Sequence, residues 1–216
     1  MTNAASIGLE KSEDIELREF LDSIPVGVRR PRFENLAEAM ISVNRPISII
    51  ETGCMRAPLS DDGPEGDGCS SLVWDYVAQR TQGSFITIDI DQHNVDYAQA
   101  RLSERSVVVC CDSVHFLSSI VSVTQPIDFL YLDSMDWQGT VEERNLSALH
   151  HAAELAAAWK WILPGGLIAV DDCLGEYSGK HAFVKRFFDA IGIAPIVDDY
   201  IHVWRKPENF ANRRAV

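Results

Sequence analysis

Beyond Pro46 the chain repeats one rhythm five times: a short apolar, often β-branched run that closes on a carboxylate, then a helical stretch. The runs are "ISII", closing at Glu51, "SFITIDID" at Asp89 and Asp91, "SVVVCCD" at Asp112, "IDFLYLD" at Asp133, and "LIAVDD" at Asp171 and Asp172. Helical segments open near Ser70 and cover "NVDYAQARLSE", "VHFLSSIV", "VEERNLSALHHAAELAAAWKWI" and "KHAFVKRFFDAIG". Strands that alternate with helices are joined by crossovers, so they lie parallel, with helices on both faces of the sheet. "IAPIVDDYIHVWRK" reads instead as two short strands with a turn near Asp198 and Asp199, too close for a crossover and therefore antiparallel. The expected fold is α/β: an open, doubly wound, mostly parallel sheet with an antiparallel strand near the C-terminus.

Residues 1–45 read as a helical cap. Ser12 is placed to cap a helix with Leu17, Phe20, Leu21 and Ile24 on one face; Pro25 and Gly27 interrupt it, and Phe33, Leu36, Ala37, Met40 and Ile41 then recur at helical spacing. Residues 46–207 form the sheet domain and 208–216 a tail. The formal net charge of -13 disfavours nucleic acid and anionic membrane as partners and favours a small molecule. The five cysteines include no C-x-x-C pair, so no zinc site is read from them. With no apolar leader they imply reduced thiols in a cytoplasmic protein. A homo-oligomer is left open.

Ligands of open α/β sheets bind beyond the carboxyl ends of the strands. A row of acids there suits a cation, a metal ion or a hydroxyl-rich ligand, whereas any one acid alone often just starts a loop. The first turn, "ETGC", lacks G-x-G-x-x-G, and the long connection 54–67 carries Asp61, Asp62, Glu65 and Asp67, which would repel a pyrophosphate. Strand-to-helix loops usually have about 2–6 residues, so this one reads as a lid, Leu59 to Gly66, or as a surface loop. Asp89, at the end of the second strand, is placed to accept hydrogen bonds from ribose hydroxyls.

In these motifs the chain resembles the class I S-adenosylmethionine-dependent methyltransferases, from about Pro46 to Lys206. The carriers are "ETG" with its helix opening "GDGCSS" as the first motif, then the acid of "ITIDID", "CCDS", "DFLYLDSMDW" and "LPGGLIAVDDC", five motifs in order. The resemblance implies a Rossmann-like methyltransferase fold and S-adenosylmethionine as cofactor. It implies that Glu51, Gly53 and Ser71 face the methionine end, Asp89 the ribose, Ile90 the adenine ring, Asp112 or Ser113 the adenine edge, and Asp133 the methyl donor. Asp133, Asp171 and Asp172 resemble the metal-binding acids of the catechol-type and macrocin-type O-methyltransferases, which implies magnesium or another divalent cation. A catechol-type enzyme carries a lysine base three residues after the first metal acid; here that place is Asp136, which makes Asp133 and Asp136 the candidate catalytic acids, with His150 and His151 as further bases. Trp137 reads as a wall of the site or as core. The expected activity is metal-assisted O-methylation of a small hydroxylated acceptor. The alternatives are an N-methyltransferase or a metal-independent one on the same fold, or a non-catalytic domain that binds the cofactor or a partner.

Overall fold

The computed structural model describes residues 12–56, 69–119, 126–137 and 139–208. The acids of the long first turn and the Leu59–Gly66 segment lie outside the described residues. Helices α1 (Ser12–Asp22) and α2 (Arg30–Ile41) come first. Then β1 (Ser48–Thr52), α3 (Ser70–Arg80), β2 (Ser84–Asp89), α4 (Gln92–Gln99), β3 (Ser106–Cys110), α5 (Ser113–Ser119), β4 (Ile127–Leu132), α6 (Val141–Ala158) and β5 (Ile162–Val170) alternate. A hairpin of β6 (Cys173–Leu174) and β7 (Ser178–Gly179) leads to α7 (Ala182–Ala190), β8 (Val197–Asp198) and β9 (His202–Arg205).

Local chemistry sets several of these boundaries. Asp91 opens α4 by accepting the His93 N–H at 2.8 Å. Thr140 and Glu143 exchange side-chain and backbone hydrogen bonds in a capping box that starts α6. The sequence places the stop of that helix at "PGG". In the structure α6 ends earlier, at Ala158, where the Lys206 ammonium donates to the carbonyls of Trp159 at 2.6 Å and Ile162 at 2.7 Å. Pro164, Gly165 and Gly166 lie within β5 instead, and its register with β4 slips between Ile127 and Phe129.

The main sheet has the strand order β3-β2-β1-β4-β5-β9-β8. β1 to β5 run parallel, and β9 is antiparallel to both β5 and β8. Chain order reverses at β1, between β2 and β4, which opens a crevice at the carboxyl ends of those strands. Alternate residues serve opposite faces: Phe129 and Tyr131 pack on one side of β4, Leu130 and Leu132 on the other. On the first side Trp74 meets Phe33 and Phe129 edge-on, at 5.3 and 4.8 Å between ring centres. Leu17, Leu21 and Leu36 of the N-terminal helices join this same cluster. Of the cap read for residues 1–45, the described helices α1 and α2 therefore share their core with the sheet. On the second side Phe188 of α7 stacks on Trp204 of β9 at 5.0 Å.

Candidate active site

The turn after β1 is held from behind. Glu51 has no solvent exposure, and its carboxylate accepts the hydroxyls of Ser70 at 2.6 Å, Ser71 at 2.5 Å and Thr87 at 2.7 Å. Ser71 also accepts the Met55 N–H at 3.0 Å. Glu51 and Ser71, read from sequence as cofactor contacts, thus form a bracket that ties β1, β2 and α3 together. A fully buried acid needs such partners, and in this arrangement its hydroxyl contacts lie behind the turn. Gly53 has φ +80°, and a Cβ there would stand 2.5 Å from the Asp133 carbonyl oxygen, so the backbones of the first and fourth strand ends meet only because this residue is glycine.

In front of that turn lies a cavity of about 400 Å³. Gly53, Asp89, Ile90, Asp112 and Ser113 line it, as do Ser134, Met135, Asp136 and His150. Asp89 is fixed by the N–H groups of Asp91 at 2.8 Å and Cys54 at 3.2 Å, which aim its carboxylate. Ile90 is 74% exposed, an apolar surface left open at the cavity rim. Asp112 accepts the His115 N–H at 2.7 Å and so also starts α5. The Ser113 hydroxyl turns toward α6, where it donates to Glu154 and lies 3.1 Å from His150 Nε2.

Around Asp136 of this lining three carboxylates converge. One oxygen each of Asp133, Asp136 and Asp172 lies within 4.8 Å of the others. The Lys180 ammonium stands among them, bonded to Asp133, 2.7 Å from Asp136 and 3.1 Å from Asp172. Lys180 is 1% exposed, and a lysine so buried is almost always paired. Burial pulls its pKa down, but the three acids more than reverse that and keep it charged. Burial raises Asp133 well above the usual carboxylate range, with Lys180 opposing. Burial pushes Asp136 up as well, yet Lys180 and Arg56, the latter at 2.6 Å, hold it below the ordinary value.

Asp171 does not join this group. Its carboxylate accepts Arg29 Nε at 2.5 Å and the Tyr131 hydroxyl at 2.9 Å on the opposite side of β5. Successive residues at a strand end point to opposite faces, and Asp172, with φ +51°, turns back toward Lys180. The trio of Asp133, Asp171 and Asp172 expected from sequence is therefore replaced by Asp133, Asp136 and Asp172. Lys180 takes one oxygen from each acid of this trio.

The two histidines on α6 stand apart from the acids. His150 is raised by its hydrogen bond to Glu154 and sits beside Ser113. His151 is fully buried, which lowers its pKa to about 4, and contacts the Ser147 carbonyl at 2.7 Å. Trp137 does not line the cavity; the Arg144 guanidinium lies 6.0 Å from its ring centre. Lys180 and Arg29 are the charged residues at the acids that the sequence reading missed. One follows a two-residue strand and the other ends a 3-10 turn, with no motif around either.

A family model described as a methyltransferase domain matches residues 66–173, half of the chain. This chain belongs to the class I S-adenosylmethionine-dependent methyltransferases. Solved structures share its fold. MycE, a methyltransferase of the mycinamycin biosynthetic pathway solved with Mg, SAH and mycinamycin VI, aligns with TM-score 0.61 and 18% identity over 96% of this chain and 58% of that one. The methyltransferase thus spans about 58% of the length of MycE. Cofactor-bound Rv0187 from MTB aligns with TM-score 0.57 and 14% identity, covering 94% of each chain. An O-methyltransferase from Bacillus cereus in complex with SAH gives 0.50 and 14%, covering 93% of this chain and 94% of that one. A comparison with curated proteins found no match. Among the described residues no helix of the methyltransferase is long and apolar enough to cross a membrane.

Proposed function

We propose that the methyltransferase O-methylates a small hydroxylated acceptor presented to Asp136, with Lys180 in place of a divalent metal among the acids. The observation that carries this reading is one cavity lined by Asp89, Ile90 and Asp112 and also by Asp136, whose carboxylate Lys180 and Arg56 hold. S-adenosylmethionine supplies an electrophilic methyl carbon on a sulfonium. In this reading Asp89 accepts the ribose hydroxyls and Ile90 covers the adenine face. Asp136 accepts a hydrogen bond from the acceptor hydroxyl and orients its lone pair toward the methyl group. A hydroxyl oxygen gaining a methyl group becomes strongly acidic, so even a carboxylate held low can take its proton late in the transfer. Asp133, behind Lys180, keeps the ammonium placed.

The test is methyl transfer to a panel of small hydroxylated acceptors after exhaustive chelation. Full activity is expected in chelator. Asp136 must be ionised to act, and Lys180 and Arg56 hold it below the ordinary carboxylate range, so activity should be level from neutral pH down through the histidine range. A base at His150, which Glu154 holds above the ordinary histidine value, would instead give an acid limb above that value. Asp136→Asn should lower kcat by about 10²–10⁴-fold while S-adenosylhomocysteine still binds. Activity lost in chelator and restored by magnesium would overturn the metal-free reading; MycE was solved with Mg.

A further inference from the structure

We propose that Cys173, His181 and His202 form a zinc-binding site, separate from the acid cluster. Cys173 lies on β6, His181 just before α7 and His202 on β9, and tertiary folding alone brings them together. The Cys173 sulfur and one ring nitrogen of each histidine lie within 4.8 Å of one another. All three residues are buried, at 6%, 0% and 3% exposure. Zinc bonds of about 2.0–2.3 Å at tetrahedral angles put ligand atoms about 3.3–3.8 Å apart, so small side-chain rotations close the site.

The orientation of the rings favours a ligand over simple packing. His202 Nε2 lies 3.0 Å from the Asp198 carboxylate, and His181 Nε2 lies 3.3 Å from the Glu176 carbonyl. The Nδ1 atoms of both rings are buried and have no hydrogen-bond partner. A metal-bound histidine characteristically directs its other nitrogen at a carboxylate or a backbone carbonyl, and both rings here have that arrangement. Buried polar atoms rarely go unpaired, and a cation would satisfy both at once. The Cys173 thiol would release its proton to solvent on binding, as thiol ligands do.

Soft sulfur with two imidazoles suits zinc rather than magnesium. Three protein ligands leave a fourth position, and an adjoining cavity of about 530 Å³, lined by Cys173, His202, Glu176 and Asp199, has room for water there. Cys173 follows Asp172 and His181 follows Lys180 in the chain, so zinc would fix both members of that ion pair from behind. This inference stands whether or not O-methylation is the reaction.

The experiment titrates cobalt(II), as a spectroscopic stand-in for zinc, into the reduced, chelator-stripped protein. One equivalent should produce a thiolate-to-cobalt charge-transfer band and intense tetrahedral d–d bands, and zinc should bleach both. Cys173→Ser should remove the charge-transfer band. Asp198→Asn, which keeps all three ligands, should weaken zinc binding about 10–100-fold. It also guards against a Cys173→Ser variant that does not fold. Absence of both bands in the folded wild type, a charge-transfer band that survives Cys173→Ser, or unchanged affinity in Asp198→Asn would each overturn the site.

Discussion

Asp89 and Glu51 are acids on neighbouring strands, yet Asp89 lines the cavity while Glu51 is sealed behind it by three hydroxyls. The difference lies in their neighbours. Glu51 sits within β1 with buried residues all around, whereas Asp89 ends β2, where the chain turns into open space. Asp89 is therefore the residue at which cofactor affinity should be lost. A carboxylate holding two ribose hydroxyls makes charge-assisted hydrogen bonds worth about 1.5–3 kcal/mol each. Asp89→Ala should weaken S-adenosylhomocysteine at least tenfold by calorimetric titration, with the unfolding midpoint little changed. Equal affinity in wild type and variant would mean that the ribose lies elsewhere.

At the scale of elements, the hairpin of β6 and β7 is the piece that completes the acid cluster, since Lys180 follows it directly. Gly179 has φ +94°, and a Cβ on it would stand 2.3 Å from the Asp172 carbonyl oxygen. Gly175, at the tip, has φ +57° and open space around it. Alanine at Gly175 should pay only for the left-handed backbone, about 1–2 kcal/mol. Alanine at Gly179 must also push the hairpin off Asp172 and draw Lys180 out of its acids. Breaking a buried ion pair costs about 3–5 kcal/mol, so denaturant unfolding should show Gly179→Ala as the more damaging by at least about 2 kcal/mol. Similar losses at the two positions would show that the hairpin moves without disturbing Lys180.

For the molecule as a whole, Arg29 joins the N-terminal helices to the carboxyl end of β5. It is 6% exposed and bonds Asp171 at 2.5 Å and Asp172 at 3.0 Å, so the cap and the acid cluster share one charge network. Arg29→Met would leave Asp171 buried beside Tyr131 with its cation removed. The expected loss is about 3–5 kcal/mol in chemical unfolding, and adding Asp171→Asn should recover part of it by removing the orphaned charge. A loss under about 1 kcal/mol would mean that solvent reaches Asp171 once the arginine is gone.

The alternation of strands and helices, the antiparallel end and the row of strand-end acids were legible in the sequence, because hydrophobic period and chain order are local properties. So were Asp89, Ile90 and Asp112, since each stands where its own strand stops and the crevice of a doubly wound sheet begins. What each acid faces was not legible. Asp171 and Asp172 are adjacent in sequence and share Arg29 from the cap, but only Asp172 also reaches Lys180 from the hairpin; these cations stand 142 residues before Asp171 and 8 residues after Asp172. Cys173, His181 and His202 carry no ligand spacing and meet only through the pairing of β9 with β5 and the docking of α7. Periodicity decides which face a side chain takes; only the folded chain decides which charge or ring nitrogen waits there, because those partners come from segments with no sequence rule linking them.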